Sequence, residues 1–332
     1  MNPRGTRESF AIDFFCGRPY SEFKEVYEVK RTQVEAVKRI AILVLSLTLL
    51  IGLGGYAQEE AGVTGSTLVE VVTVVEEMIG HIDWEEGYIY AVGDGVPPTD
   101  AISPAQARVR AKRAAIDTAY ARLLEMAEAV RVDTESTTVN YINESHVVAT
   151  RVSGLIQNAE IVTLRHFEDG SYQIKMRMPI KGREGLASVV LPVQMEKAMR
   201  IGIAYEISTE HISEAVEPGE AYTGLIVDAR GLEVQPAMYP RLITMAGEVV
   251  YDLMSANPNA VIEKGLVEYS LDMEVTEKSP RVGGTPLIVE AISVSGEYGA
   301  DIVLTEEDAQ KILSLDVINT FFGEAKVIIV VE

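Results

Sequence analysis

Few residues in this chain have the type and spacing to do chemistry. The most pointed pair is Asp228 and Arg230, in the run Ile226-Val227-Asp228-Ala229-Arg230. It follows an apolar run, so both side chains are expected at a strand end, where they could hold a polar ligand or assist a hydrolysis. The same pair also fits a strand-end ion pair or turn cap, a common and individually weak feature. Glu306-Glu307-Asp308 could suggest a cation site, but the spacing is not that of a calcium loop. Acidic residues at a helix start complement the dipole there. The glycine pair in Gly93-Asp94-Gly95 lacks the length and the Lys-Ser/Thr of a phosphate-binding loop, and with Pro97-Pro98 it reads as a break after a strand. No Gly-x-Ser-x-Gly elbow is present. His81, His146, His166 and His211 are scattered without ligand spacing. Trp84, Tyr88 and Tyr90 fit a sheet face, or a surface for a sugar or a partner. No set of nucleophile, base and orienting group can be assembled, so no catalytic residue, metal or cofactor is expected.

The totals narrow the class. The chain has 332 residues, 47% of them apolar, and a formal charge of −21. That length suits two domains with real cores. Without a basic surplus, nucleic acid is not an expected partner, nor is anionic lipid. Cys16 is the only cysteine, so one chain can form neither an internal disulfide nor a cysteine-based metal centre.

The N-terminal part reads as targeting. Lys38-Arg39 precede the apolar run 40–53, and Gly54-Gly55-Tyr56-Ala57 then leads into acidic residues. This has the form of a signal peptide over 37–57, with a cut before Gln58. The apolar run is short for a membrane span, which needs about 20 residues; an uncleaved anchor is the rival reading. Residues 1–36 lack the form of a basic lead, which suggests a true start at Val37. No cysteine follows the apolar core, so lipidation is not expected, and neither is a membrane anchor after cleavage.

One stretch organises the rest. Ser103–Val130 should form a long helix, with Ser103 as N-cap and Pro104 at the first helical position. Ala105, Val109, Ile116, Ala119, Leu123, Ala127 and Val130 form an apolar stripe at three- and four-residue spacing. Because much of the stripe is alanine, the helix can approach a sheet closely. Arg108, Arg110, Lys112 and Arg113 crowd the first half, where the dipole prefers negative charge. They fit a solvated face, or a patch for an anionic partner.

Around the helix, Trp84–Val92 reads as a strand and Leu68–Ile79 as a strand or a helix. Thr134–Tyr141 reads as a strand, and Val147–Ile156 leads to a turn at Gly154. Ala159–Phe167 and Tyr172–Ile180 alternate on either side of Asp169-Gly170, a hairpin signal. Gly182–Gly219 is a connection interrupted at Leu191-Pro192, with a short helix over Gln194–Met199. Beyond it come short strands at Ala221–Asp228, Glu248–Tyr251, Lys264–Tyr269, Leu287–Ser293 and Asp301–Leu304. Thr305 should start a helix ending near Ser314, and Lys326–Val331 should be a central strand. The expected fold is α+β: a long helix on an antiparallel sheet, then a second strand-rich α+β domain. The expected divisions are a signal over 37–57, a lead over 58–83, domains over 84–182 and 220–332, and a linker over 183–219.

Residues 90–182 resemble the N-terminal domain of flagellar assembly protein T and the LPP-type (LPP20-like) bacterial envelope lipoproteins. The likeness rests on Gly93–Gly95, on Ala-Ala-Ile-Asp-Thr-Ala-Tyr at 114–120, and on Leu123-Leu124 and Thr137-Thr138-Val139. It continues through Val152–Ile156, the Asp169–Tyr172 hairpin and Met178-Pro179-Ile180. The resemblance implies an envelope location and an assembly or binding role, and supplies no catalytic residues. This chain departs from the lipoproteins in lacking the lipidated cysteine.

Two functional expectations follow. One is an exported periplasmic or cell-surface protein with a structural, assembly or interaction role and an envelope protein partner, flagellar in its narrower form. The other is a periplasmic ligand-binding module or hydrolase with a site near Asp228 and Arg230, supported by the glycine loop at Gly283-Gly284. Neither the partner nor the oligomeric state is written in the sequence.

Overall fold

The structure is a computed structural model that describes residues 79–200 and 222–331. The lead, the signal-like segment, residues 68–78 and the connection over 201–221 lie outside the described residues, as do the expectations placed on them.

The first layer is an antiparallel sheet in the order β1-β2-β4-β3, with β1 Gly80–Asp83, β2 Tyr88–Gly95, β3 Glu160–His166 and β4 Tyr172–Pro179. Helix α1, Pro104–Ala129, lies over β2 and β4. Its start is as expected, with the Ser103 hydroxyl accepting from the Gln106 amide at 3.2 Å. The expected stripe is rotated. Ala111, Ala115, Ala119, Leu123 and Ala127 are buried, whereas Val109 is 69% exposed.

The glycines explain the rotation. Gly93 and Gly95 do not break β2; they lie within its last three residues and face the helix. A Cβ on Gly93 would stand 2.1 Å from the Ala115 carbonyl oxygen, and one on Gly95 would stand 2.0 Å from that of Ala111. Helix backbone therefore rests on strand backbone, and only small residues fit along that line. Ile89 and Ala91 of β2, with Ile174, Met176 and Met178 of β4, complete the buried face.

Three local expectations are corrected. Thr134–Tyr141 is a turn followed by helix α2, Thr138–Glu144, because the Asp133 and Asn140 side chains take up backbone amides there in place of a strand partner. The Thr137 amide donates to the Asn140 side chain at 2.8 Å, and Asp133 Oδ1 accepts from the Glu135 and Ser136 amides. Val147–Ile156 belongs to helix α3, His146–Gln157, which buries Val148, Val152 and Ile156 at four-residue spacing. Pro192 lies inside α4, Ala187–Arg200. There it removes one hydrogen bond, while Leu186, Val190 and Leu191 are buried around it. The hairpin stands as expected: Asp169 Oδ1 accepts from the Ser171 amide at 2.9 Å, and Gly170 takes a positive φ of 85°.

The second half holds two more sheets. A parallel sheet runs β8-β12-β5-β9, with β5 Leu225–Asp228, β8 Glu268–Ser270, β9 Leu287–Glu290 and β12 Val327–Val330. As the sequence predicts, the apolar β12 is interior and wholly buried. A mixed sheet runs β10-β11-β6-β7, with β6 Leu242–Thr244, β7 Val249–Tyr251, β10 Ser293–Ser295 and β11 Asp301–Leu304. Helices α5, Pro258–Lys264, α6, Met273–Thr276, and α7, Glu306–Asn319, complete it. Thr305 caps α7 by accepting from the Asp308 amide at 3.0 Å, and the helix runs past Ser314 to Asn319. The described residues are therefore α+β throughout.

The halves share one apolar core, and the described residues all belong to one unit. Backbone joins them: the Met238 and Tyr239 amides donate to the Arg131 and Val132 carbonyls at 2.9 and 2.8 Å. The Trp84 ring meets the edge of Tyr269 at 5.8 Å. Lys181 threads the seam, its stem 3.2 Å from where a Cβ on Gly87 or Gly265 would lie. Burial, with repulsion from Arg281, holds its ammonium below the ordinary lysine range. Arg281 is itself buried, donating to the Lys264, Gly265 and Leu266 carbonyls at the end of α5.

Gly95→Ala is expected to lower stability by about 2–3 kcal/mol, because the clash is with backbone that cannot rotate away; thermal denaturation reads it. Lys181→Met should raise the melting temperature at neutral pH. The folded chain binds fewer protons than the unfolded one between the two lysine values, so the penalty shrinks as pH rises toward 10.5. The gain should therefore fade in the same measurement at alkaline pH.

Candidate interaction surface

The residues singled out from the sequence fall on different elements. Asp228 ends β5, and Arg230 stands in the loop after it. Their side chains close on each other: Arg230 Nε and Nη2 donate to Asp228 Oδ1 and Oδ2 at 2.8 and 2.6 Å, and the Arg230 amide donates to Oδ1 at 3.2 Å. Hydrogen bonding from Arg230 holds the Asp228 carboxyl below the usual carboxylate range. The two side chains and the Arg230 amide close on each other within three residues, the geometry of a turn cap. Glu306, Glu307 and Asp308 occupy the first turn of α7, where they face the positive helix end. Among the described residues, no group of three or more His, Cys, Asp or Glu stands close enough to hold a metal ion. A small cleft of about 20 Å³ between Trp84, Lys181 and Tyr269 has room for one water.

The basic half of α1 is exposed and partly neutralised at home. Arg110 pairs with Asp100 at 2.9 Å, and Arg113 with Asp117 at 3.1 Å one turn along. Exposed pairs of this kind are weak and screened by salt. Arg108 and Lys112 are exposed and make no ion pair with a described residue.

What the sequence did not mark is the exposure of β3. Among the described residues this strand is an edge of its sheet, paired only with β4. Every residue but Thr163 is exposed, although the run Ile161-Val162-Thr163-Leu164 is apolar in three of four positions. Ile161, Val162, Leu164 and the following Phe167 are 46, 44, 43 and 44% exposed. Register assigns their faces. Ile161 and Leu164 lie opposite Met176 and Ile174, on the helix side; Glu160, Thr163 and Arg165 lie opposite Arg177, Lys175 and Gln173, on the outer side. A bulge at Val162 separates the two runs. Helix α1 reaches β4 through Ile116 and Tyr120, which pack on Ala115, Ala119, Ile174 and Met176.

The outer face is polar and ordered by rings. His81 stacks on Tyr90 at 4.8 Å, and Lys175 and Arg177 sit over Tyr90 and Tyr88 at 4.5 and 4.4 Å. Arg177 also holds Glu160 at 2.9 Å. The two tyrosine rings of β2 are thus covered by long cationic side chains, with His81 stacked on Tyr90, and the apolar surface lies at the β3 margin.

Comparison with known proteins bears on the second half. Residues 224–332 match the family described as the second domain of Tp0624 of Treponema pallidum. The match begins at β5 and takes in the parallel and mixed sheets. No curated protein matches the chain.

If Asp228 and Arg230 serve only as a turn cap, Arg230→Ala should leave the melting temperature nearly unchanged. The Asp228 carboxyl should then titrate closer to the ordinary aspartate value, read by carbon-detected NMR.

Proposed function

We propose that the protein is an exported cell-envelope protein with a structural, assembly or interaction role, non-enzymatic, and that it associates through the free edge of β3. The observation that carries this reading is the exposed apolar edge strand. Open strand edges are normally shortened, charged or covered, and an apolar one is a template for strand addition. Contiguous exposed apolar residues mark association surfaces more often than scattered ones do. The signal-like segment over 37–57 supports export, and the resemblance of residues 90–182 to the envelope lipoproteins and flagellar assembly protein T supports an assembly role. Association with the flagellum is the narrower form of the same reading. The Asp228–Arg230 pair closes on itself as a turn cap, which favours the assembly reading over the ligand-binding alternative.

In formaldehyde-cross-linked cells, affinity capture of the full chain should recover an envelope protein. Ile161→Lys with Leu164→Lys should reduce that recovery about tenfold, as loss of two apolar anchors does. Both positions are exposed, so unchanged thermal denaturation confirms that the variant folds. Recovery of no envelope protein, or recovery indifferent to the substitutions, contradicts the proposal.

A further inference from the structure

The geometry points to a second copy of this chain as the occupant of the β3 edge, in an antiparallel, two-fold pairing of β3 with β3. This rests on the reading of β3 as the associating edge and names its partner. A two-fold axis normal to the sheet carries each face of a strand onto the same face of its copy, so paired residues must come from one face. On β3 the helix-side residues are Ile161 and Leu164, and the outer residues include Glu160 and Arg165. Setting the axis between Val162 and Thr163 pairs Ile161 with Leu164 and Glu160 with Arg165. Apolar then meets apolar on the helix side, and opposite charges meet on the outer side. Shifting the axis by half a residue toward Thr163 sets Ile161 against Arg165 and puts residues of opposite faces together.

The bulge at Val162 makes this match possible. In a regular strand Ile161 and Leu164 would point to opposite faces, since side chains alternate. The extra residue brings both to the helix side and so makes the edge self-complementary. The charges agree with the surroundings. Glu160 already lies 2.9 Å from Arg177 on the neighbouring strand. A copy's Arg165 would join them from the open side and complete a row of alternating charge across the junction. The two four-stranded sheets would become one of eight strands, each apolar edge covering the other. A chain of net charge −21 repels its copy at long range, and the Glu160–Arg165 contacts, formed twice per pair, supply local attraction where the edges meet.

Sedimentation equilibrium of the full chain in density-matched detergent should give twice the chain mass. Glu160→Arg and Arg165→Glu, each alone, should raise the dissociation constant about tenfold, because each sets like charges opposite each other at two symmetric contacts. The double swap, Glu160→Arg with Arg165→Glu, should restore the dimer. Circular dichroism checks that the variants fold; both side chains are exposed. A monomer at tens of micromolar, a dimer indifferent to the single reversals, or a double swap no better than the singles overturns the pairing. A monomer whose envelope capture still depends on Ile161 and Leu164 would reject the second copy and keep the assembly role. A monomer whose capture ignores those residues would reject both.

Discussion

The contact on which the fold depends is backbone against backbone, where α1 crosses β2. Gly93 and Gly95 leave no room for a side chain, and Ala111 and Ala115 present carbonyls within about 2 Å of where a Cβ would be. Close approach fixes the rotation of the helix, which in turn decides what is buried. Ala119, Leu123 and Ala127 follow on the same line. Val109 is turned outward by the same rotation, and the arginines around it are left in solvent. The helix is centred on β2 and β4 rather than on the whole sheet, and the β3 margin is left open.

The seam between the halves works by a different physics. Its surfaces are joined by backbone hydrogen bonds at Arg131 and Val132, by the Trp84–Tyr269 edge contact, and by two buried cations. Arg281 spends its guanidinium on the open carbonyls at the end of α5, which a helix end otherwise leaves to solvent. Lys181 passes between glycines of each half, Gly87 and Gly265. Positive φ at both suits glycine, and the absent side chains make the channel for the lysine stem. The apolar core is continuous across this line, so the first sheet and its free edge are held on a rigid base.

Much of this was legible in the sequence where one residue type has one physical meaning. The Ser103-Pro104 start, the Asp169-Gly170 hairpin, the Thr305 cap and the buried β12 all follow from local chemistry. Misreadings came where a residue type has two uses. Threonines at 134, 137 and 138 favour strands on average, but here Asp133 and Asn140 take up the neighbouring amides and make a turn and a helix start; in the next segment the spacing of Val148, Val152 and Ile156 was the helical signal. Glycine at 93 and 95 suggested a turn, whereas its use is the absence of a side chain beneath a helix. The edge position of β3 could not be read at all, because strand order in a sheet is a property of tertiary pairing. Ile161 and Leu164 look like core residues in sequence, and their exposure becomes visible only once β4 is seen to be the one strand beside them among the described residues.

Strand association through β3 is tested most directly by backbone hydrogen exchange over Glu160–His166 as protein concentration is raised. Amides on the open side of an unpaired edge exchange with solvent, and those that gain a strand partner are protected. Pairing with a second copy predicts slow exchange at high concentration, reverting to fast exchange on dilution, with β4 unchanged. Fast exchange along the open side of β3 at every concentration would contradict it.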